Sequence, residues 1–493
     1  MWNEGGRLRV SAPPGVLTPE LRQELTQRKA EILDFLRDAR TLRPPVEKAP
    51  RDEPLPLSFA QERLWRNERN AASQDNLNVI VSELNGNLNT SALERSFQEL
   101  VRRHEVFRTT FHAIGETPVQ LIASSQPIKL NIVDLSRAKD PEAETASFAF
   151  KEKAEPVSLE QGPLMRFSVL RLGLHCHRLV MRLHHILYDI WSFPIFCREL
   201  DLLYTSFCEG KESPLPELRI QMADFAVWQR RYLAPDSQAF QGQLAFWKKQ
   251  LSGVASVLRL PCERPSELKT ASLADVSVSF TLSQELSTSL GMLTRREGAT
   301  CYMTFLAALT ALINLSTGQN DIVLGTYMAK RSGPECEGMM GYFSDVGVLR
   351  ANVSSHLGFL ELLSRTREMV LDAQSHDDMP LNLLLEELTK CNGTQLDIRA
   401  IFTFETFREG SNRLGDLEVR PVAIAFPKTM PWRFQMRVRD QGEVFSGLVM
   451  FDARLHDPSL VRRMVRNYVR LLEAVVRKPG VRLCVIEEEL GSW

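Results

Sequence analysis

The sequence predicts a mixed α/β protein whose strands and helices fall in two successive regions of about 180 to 260 residues, near the usual domain size. Three observations carry that expectation. Apolar and polar residues alternate in PLMRFSVLRL (163–172) and HRLVMRLHHIL (177–187), the period of a strand. In LNTSALERSFQELVRRH (88–104) the apolar positions Leu93, Phe97, Leu100 and Val101 instead recur at helical spacing. Over 493 residues the composition is 44% hydrophobic and 25% charged, which suits a chain with large cores.

Residues 1–40 read as a unit of their own. Leu8 and Val10 alternate with Arg7 and Arg9 before a break at Pro13-Pro14-Gly15, which predicts a small hairpin. A helix should follow: Thr18 is a suitable N-cap, Pro19 fits the first turn, and Glu20 and Glu24 suit its positive end. Leu21, Leu25, Ile32 and Leu36 share one face, widened by Phe35 and interrupted by Arg28. Residues 41–55, with four prolines among many charges, predict a stiff exposed linker. Residues 56–230 form the first α/β region, closed by the helix in ADFAVWQRRYL (223–233). Residues 231–493 form the second, with a helix in MTFLAALTALINLSTG (303–318), a strand in DIVLGTYMA (321–329) and a closing helix in PSLVRRMVRNYVRLLEAVV (458–476).

Several function classes are disfavoured. The formal net charge is -1 and no basic stripe is interleaved with aromatics, so neither nucleic acid nor an anionic membrane is an expected partner. No apolar signal core opens the chain and no window approaches the length of a membrane span. The eight cysteines are scattered without a CxxC pair, which points to the reducing cytoplasm. His175 and His177 in LHCHR would share a strand face as a metal pair could, but no second ligand pair follows, and no metal is expected.

The stretch MRLHHILYDIWS (181–192) sets two histidines and an aspartate where a core strand should run. It stands among blocks that, in their order, resemble the condensation domain of nonribosomal peptide synthetases over most of residues 56–480. SFAQERLW (58–65) is similar to that family's S-x-A-Q-x-R-L-W, and RRHEVFRTTF (102–111) to its R-H-E-x-x-R-T-x-F. HHILYDIWS (184–192) resembles H-H-x-x-x-D-G-x-S, and ADFAVWQ (223–229) the block after it. GQNDIVLGTYMAKR (318–331), MGYFSDVGVLR (340–350) and SHDDMPLNLLLEEL (375–388) resemble the second-lobe signatures. The resemblance implies two chloramphenicol-acetyltransferase-like lobes in a V-shaped pseudo-dimer with the active site in a tunnel between them. Residues 7–36 resemble a β-hairpin docking domain found at the N-terminus of some synthetase subunits.

In the resembling family the second histidine is catalytic, which implies that role for His185. A neutral imidazole can take a proton from an attacking amine or hydroxyl, or position it. Strand alternation turns His184 the opposite way, so it should be a hydrogen-bonded core residue. The family pattern implies that Asp189 makes a buried ion pair with an arginine, with Arg108 as first choice and Arg350 as the alternative. Ser192 matches the motif. Ile190 departs from it, standing where the family has glycine, and is expected to narrow the tunnel or shift a backbone amide that faces the oxyanion. Ser344, Asp345 and Val346 depart as well, from the family's common V-N-T.

The implied activity joins a carrier-bound acyl thioester to an amine or an alcohol. No cofactor is expected to bind directly; the donor would arrive on the phosphopantetheine arm of a partner acyl or peptidyl carrier protein, and the acceptor on a carrier or as a free small molecule. Arg7, Arg9, Arg22, Arg28 and Lys29 around the hairpin and helix imply capture of an acidic C-terminal tail on the upstream carrier. The N-terminal unit disfavours an epimerisation relative, and His184 with His185 disfavours a heterocyclisation relative. The remaining alternative is a non-catalytic condensation-like scaffold that docks carrier proteins.

Overall fold

A computed structural model describes residues 2–4, 7–9, 19–32, 43–70, 76–125, 127–254, 257–264, 277–331, 333–392, 396–406, 413–424, 426 and 432–490. At the N-terminus β1 (Trp2–Glu4) pairs antiparallel with β2 (Arg7–Arg9), followed by α1 (Pro19–Gln27). The predicted hairpin is present, with β1 as the upstream partner of β2. The two residues between the strands are both glycine in sequence, which suits the tightest hairpin connections. Thr18, Phe35, Leu36 and the break at 13–15 lie outside the described residues.

The first lobe comprises β3 (Leu55–Pro56), α2 (Phe59–Asn70), β4 (Leu77–Asn85), α3 (Thr90–Arg103), β5 (Thr109–Ile114), β6 (Thr117–Ile122), β7 (Asn131–Asp134), α4 (Pro141–Ala154), β8 (Met165–Arg171), β9 (Cys176–His184), α5 (Ser192–Cys208) and α6 (Met222–Tyr232). The second runs through α7 (Gln238–Gln250), β10 (Ser277–Thr281), α8 (Gln284–Arg296), α9 (Cys301–Thr317), β11 (Asp321–Met328), β12 (Asp345–Asn352), α10 (Phe359–Ser375), α11 (Leu381–Asn392), β13 (Ala400–Thr406), β14 (Arg413–Leu414), β15 (Leu417–Val422), β16 (Phe434–Asp440), β17 (Phe445–Phe451), α12 (Pro458–Arg477) and α13 (Leu483–Leu490). Each lobe holds one six-stranded sheet, ordered β14-β15-β4-β9-β8-β7 and β10-β17-β16-β13-β11-β12, and β3-β6-β5 form a small third sheet.

The strand order corrects the lobe boundary drawn at residue 230. Although β14 and β15 lie deep in the second region, β15 pairs antiparallel with β4 from Glu418↔Asn85 to Val422↔Val81, so this segment extends the first lobe's sheet. The predicted exposed linker is corrected too. Val46, Ala49 and Leu55 are buried, the Trp228 indole N–H donates to the Pro44 carbonyl at 2.7 Å, and Arg51 bonds Glu105 and Asp224. Its prolines stiffen a strap that lies along α6.

The alternation in β9 also has a different outcome from a solvated polar face. α4 packs against β4 and β9, and the polar-register residues Arg178 and Arg182 are buried. Arg178 pairs with Glu83 and Glu142, and Arg182 lies 3.8 Å from Glu152. Their stems fill apolar space while carboxylates compensate the heads. On the opposite face the core gathers around Phe97, stacked on Phe167 at 3.9 Å. In the second lobe α9 is buried from Met303 to Leu315. No single helix among the described residues is long and apolar enough to cross a membrane.

Candidate active site

β9 ends at His184, paired with Leu77 of β4, and the chain turns at once into a single 3-10 turn, His185–Leu187. That turn, not strand alternation, separates the two rings. His184 is buried and both its nitrogens are occupied: Nε2–H donates to Glu68 Oε1 of α2 at 2.7 Å, and Nδ1 accepts the Ile186 amide at 3.2 Å. A cleft of 330 Å³ opens on this side, between Trp65, Glu68 and Arg69 of α2 and the 156–160 segment. His185 does not line it.

The His185 amide donates to the Asn76 carbonyl at 2.7 Å. Its Nδ1 lies 2.9 Å from the Tyr188 carbonyl, which can only accept. The hydrogen is therefore on Nδ1, and Nε2 is the acceptor of the ring. Burial pushes the His185 pKa below that of an ordinary imidazole, opposed by the Tyr188 carbonyl and the Asp189 charge. Two rings bracket the imidazole, each centred 5.2 Å away: Tyr188 of the same turn and Tyr342 of the second lobe. Burial raises both phenol pKa values, so both remain neutral hydroxyls near pH 7.

Asp189 is wholly buried and joins the lobes. Its Oδ1 accepts from the Ser192 amide at 2.7 Å, the Ser192 hydroxyl at 2.8 Å and Arg331 at 3.2 Å. Its Oδ2 accepts from the backbone amides of Phe343 at 3.2 Å and Ser344 at 3.1 Å. The arginine is therefore Arg331, and the pairing expected with Arg108 or Arg350 is corrected. Arg108 donates to the Ala123 carbonyl and faces Glu105 at 3.7 Å. Arg350 is held by Asp321 at 2.8 and 2.9 Å. Arg331 in turn donates to the Cys336 and Met339 carbonyls and lies over the Phe343 ring. Ser192 shares its proton between Asp189 and the Gly341 carbonyl and accepts from Arg331 at 2.7 Å. Glycine at 341 leaves room for Met222 and Phe343, since a Cβ there would lie 2.5 Å from the Met222 sulfur.

The departures from the resembling motif have local compensations. Ile190 is 52% exposed. Lys330 is the one non-glycine with left-handed φ among the described residues, so the backbone at Ile190 does not require glycine. Ser344 contributes its backbone amide to Asp189. Asp345 pairs with Arg63 of α2 at 3.0 Å and accepts the Leu381 amide, giving a second charged tie between the lobes. Arg63, Tyr188, Arg331 and Tyr342 escaped the sequence reading as site residues. The signal for Arg331 was the basic pair Lys330-Arg331 closing an otherwise apolar stretch.

Outside this centre, His104 sits 2.7 Å from Glu199 inside the first lobe, a structural use of the R-H-E block. His175 lies exposed ahead of β9 while His177 is buried within it, so the two do not share a strand face. In the N-terminal unit Arg7 and Arg9 lie on β2. Arg22 and Lys29 are exposed, and Arg28 is engaged by Glu31 at 3.2 Å and Glu24 at 3.9 Å.

Two lobes with separate sheets, tied across an HHxxxD turn, define a condensation-type fold and site. The Condensation domain family matches residues 52–486, and the TubC N-terminal docking domain family matches residues 1–38. This chain belongs to the condensation-domain family of nonribosomal peptide synthetases. It is 36% identical over 469 residues to one of the linear gramicidin synthase proteins of Brevibacillus parabrevis, covering 92% of this chain and 9% of that one. To phosphinothricin tripeptide synthetase PhsC of Streptomyces viridochromogenes it is 31% identical over 449 residues, 90% of this chain and 41% of that one. The chain thus spans less than a tenth of the gramicidin synthase proteins that it matches. In fold it resembles the X-domain from teicoplanin biosynthesis, with a TM-score of 0.78, 24% identity, and 90% and 99% of the two chains covered. The first condensation domain of the calcium-dependent antibiotic synthetase, in complex with a substrate analogue, matches with a TM-score of 0.71, 18% identity, and 90% and 100% covered.

Proposed function

We propose that this chain catalyses acyl transfer from a carrier-bound thioester to an amine or alcohol, with His185 as the proton acceptor. The observation that carries this reading is the His185 geometry. The Tyr188 carbonyl fixes Nδ1–H, burial keeps the ring neutral, and Nε2 is left as a base between tyrosines from the two lobes. As the nucleophile attacks the thioester carbonyl, its proton passes to Nε2 and the carbonyl electrons move to oxygen. Collapse of the tetrahedral adduct breaks the C–S bond, and the imidazolium returns the proton to the leaving thiolate. Asp189, Ser192 and Arg331 hold the loop that presents His185 and do not touch the reacting atoms.

The donor arrives on the phosphopantetheine arm of an upstream acyl or peptidyl carrier protein. A C-terminal tail of that carrier docks on residues 1–40, in keeping with the docking-family match. The acceptor comes on a second carrier or as a free small molecule. The reaction belongs in the cytoplasm, where the free cysteines of the described residues stay reduced.

A second reading is a partner-binding scaffold. It is favoured by one structural neighbour, the teicoplanin X-domain, whose structure is known in complex with OxyB. Incubation with an acyl-loaded carrier and a panel of amines and alcohols, followed by intact mass spectrometry, separates the two. A product that disappears in His185→Ala supports catalysis. Carrier binding without any product supports the scaffold.

A further inference from the structure

Lys330 combines two unusual properties. Its φ is 51°, a left-handed backbone that is strained for any residue with a side chain. It is also a buried lysine, whose ammonium donates to the Met379 carbonyl at 3.1 Å. The next residue is Arg331, the arginine that reaches across to Asp189 and Ser192. Strain of this kind persists only where the surroundings hold it in place.

Those surroundings are charged and come from both lobes. Asp377 and Asp378 precede Met379 on the connection between α10 and α11. Asp378 is ion-paired with Arg43 of the N-terminal strap, and it accepts from the Tyr232 hydroxyl of α6 at 3.3 Å. The Arg43 guanidinium lies 5.5 Å from the Trp228 ring and 5.8 Å from the Tyr232 ring, both on α6. Burial raises the Asp377 pKa, and Lys330 and Arg43 both act against that rise, so one carboxyl feels both cations. The strap itself is fixed to the first lobe through Pro44, Ala49 and Arg51.

We propose that Lys330 is a positioning residue for the His185 loop and that Arg43 is its counterpart on the strap: with Asp377 and Asp378 they form a clamp across the lobe boundary that seats Arg331 on Asp189 and Ser192. The same peptide segment that carries Arg331 continues to Tyr342, which covers the His185 ring. The clamp therefore controls how dry that ring is. This rests on the proposed catalytic role of His185 only for its kinetic consequence, not for the geometry.

The test uses Lys330→Met, which keeps an unbranched stem and the backbone strain while removing the ammonium, and Arg43→Ala at a half-exposed position. The His185 ring is titrated by NMR in the full chain without substrate. The titratable neighbours facing it are Tyr188, Asp189, His184 and Tyr342. Loosening the clamp should lift Tyr342, admit water and relieve the desolvation, so the His185 midpoint should rise in both variants. Lys330→Arg should restore the original midpoint. With a small thioester donor, kcat should fall about tenfold or more with KM little changed, as expected for a displaced base. A wild-type His185 midpoint in Arg43→Ala, or in folded Lys330→Met, overturns the proposal. Should Lys330→Met not fold, Arg43→Ala decides alone. Absence of turnover in the wild-type protein counts against the catalytic reading, while the titration still decides the clamp.

Discussion

Replacing Asp189 by alanine should destabilise the protein more than removing the His185 ring. Five donors converge on the buried Asp189 carboxylate: three backbone amides, the Ser192 hydroxyl and Arg331. Alanine leaves the amides of Phe343 and Ser344 without this acceptor and Arg331 without its counter-charge. Arg331 keeps the Cys336 and Met339 carbonyls, each at 2.8 Å, so the guanidinium stays hydrogen-bonded but uncompensated. Breaking one side of a buried ion pair costs about 3–5 kcal/mol. His185→Ala removes one side-chain hydrogen bond, worth about 1 kcal/mol. It also removes two ring contacts worth about 0.5–1.5 kcal/mol each, within a half-buried side chain. The central values, about 4 against about 3 kcal/mol, differ by about 1 kcal/mol, read as a lower urea midpoint for Asp189→Ala by tryptophan fluorescence. Asp189→Asn should fall between the two, because its NH₂ must face donors on one side. Coincident midpoints for Asp189→Ala and His185→Ala would refute the assignment of Asp189 as the tie between lobes.

His185→Ala should abolish product formation with the fold intact by circular dichroism; turnover within about threefold of wild type would remove His185 from the chemical step. Because the working form of His185 is the free base and its pKa is lowered, kcat/KM should rise with pH through a midpoint below about 6.5 and then level off. His456 is lowered to about 4 by burial. The unfolded chain therefore binds its proton first, and the stability this provides is present above about pH 6.5 and lost as pH falls toward 4. His456→Gln should flatten that part of the acid unfolding profile, and an unchanged profile would place the sensitivity elsewhere. Deleting residues 1–40 should weaken transfer from the cognate carrier yet spare a small thioester donor. Added salt should weaken docking to the intact chain, since exposed charges are screened. Equal carrier affinity by calorimetry with and without those residues would refute the docking role.

Local pattern was enough for much of this protein. Alternation marked β8 and β9 and helical spacing marked α3, because periodicity is a property of neighbouring residues, while the resemblance of the HHxxxD stretch to a family motif singled out His184, His185, Asp189 and Ser192. It was not enough where the chain meets itself over distance. Arg331 lies 142 residues from Asp189 and in the other lobe. Nothing in the spacing of either segment ranks it above Arg108, which is nearer in sequence but held at Ala123 and Glu105. The pairing of β15 with β4, the burial of the 43–55 strap and the Arg63–Asp345 tie were likewise decided by tertiary structure. A buried carboxylate takes whichever cation the packed lobes bring within reach, and that choice is made by the closure of two sheets, not by the order of residues along one.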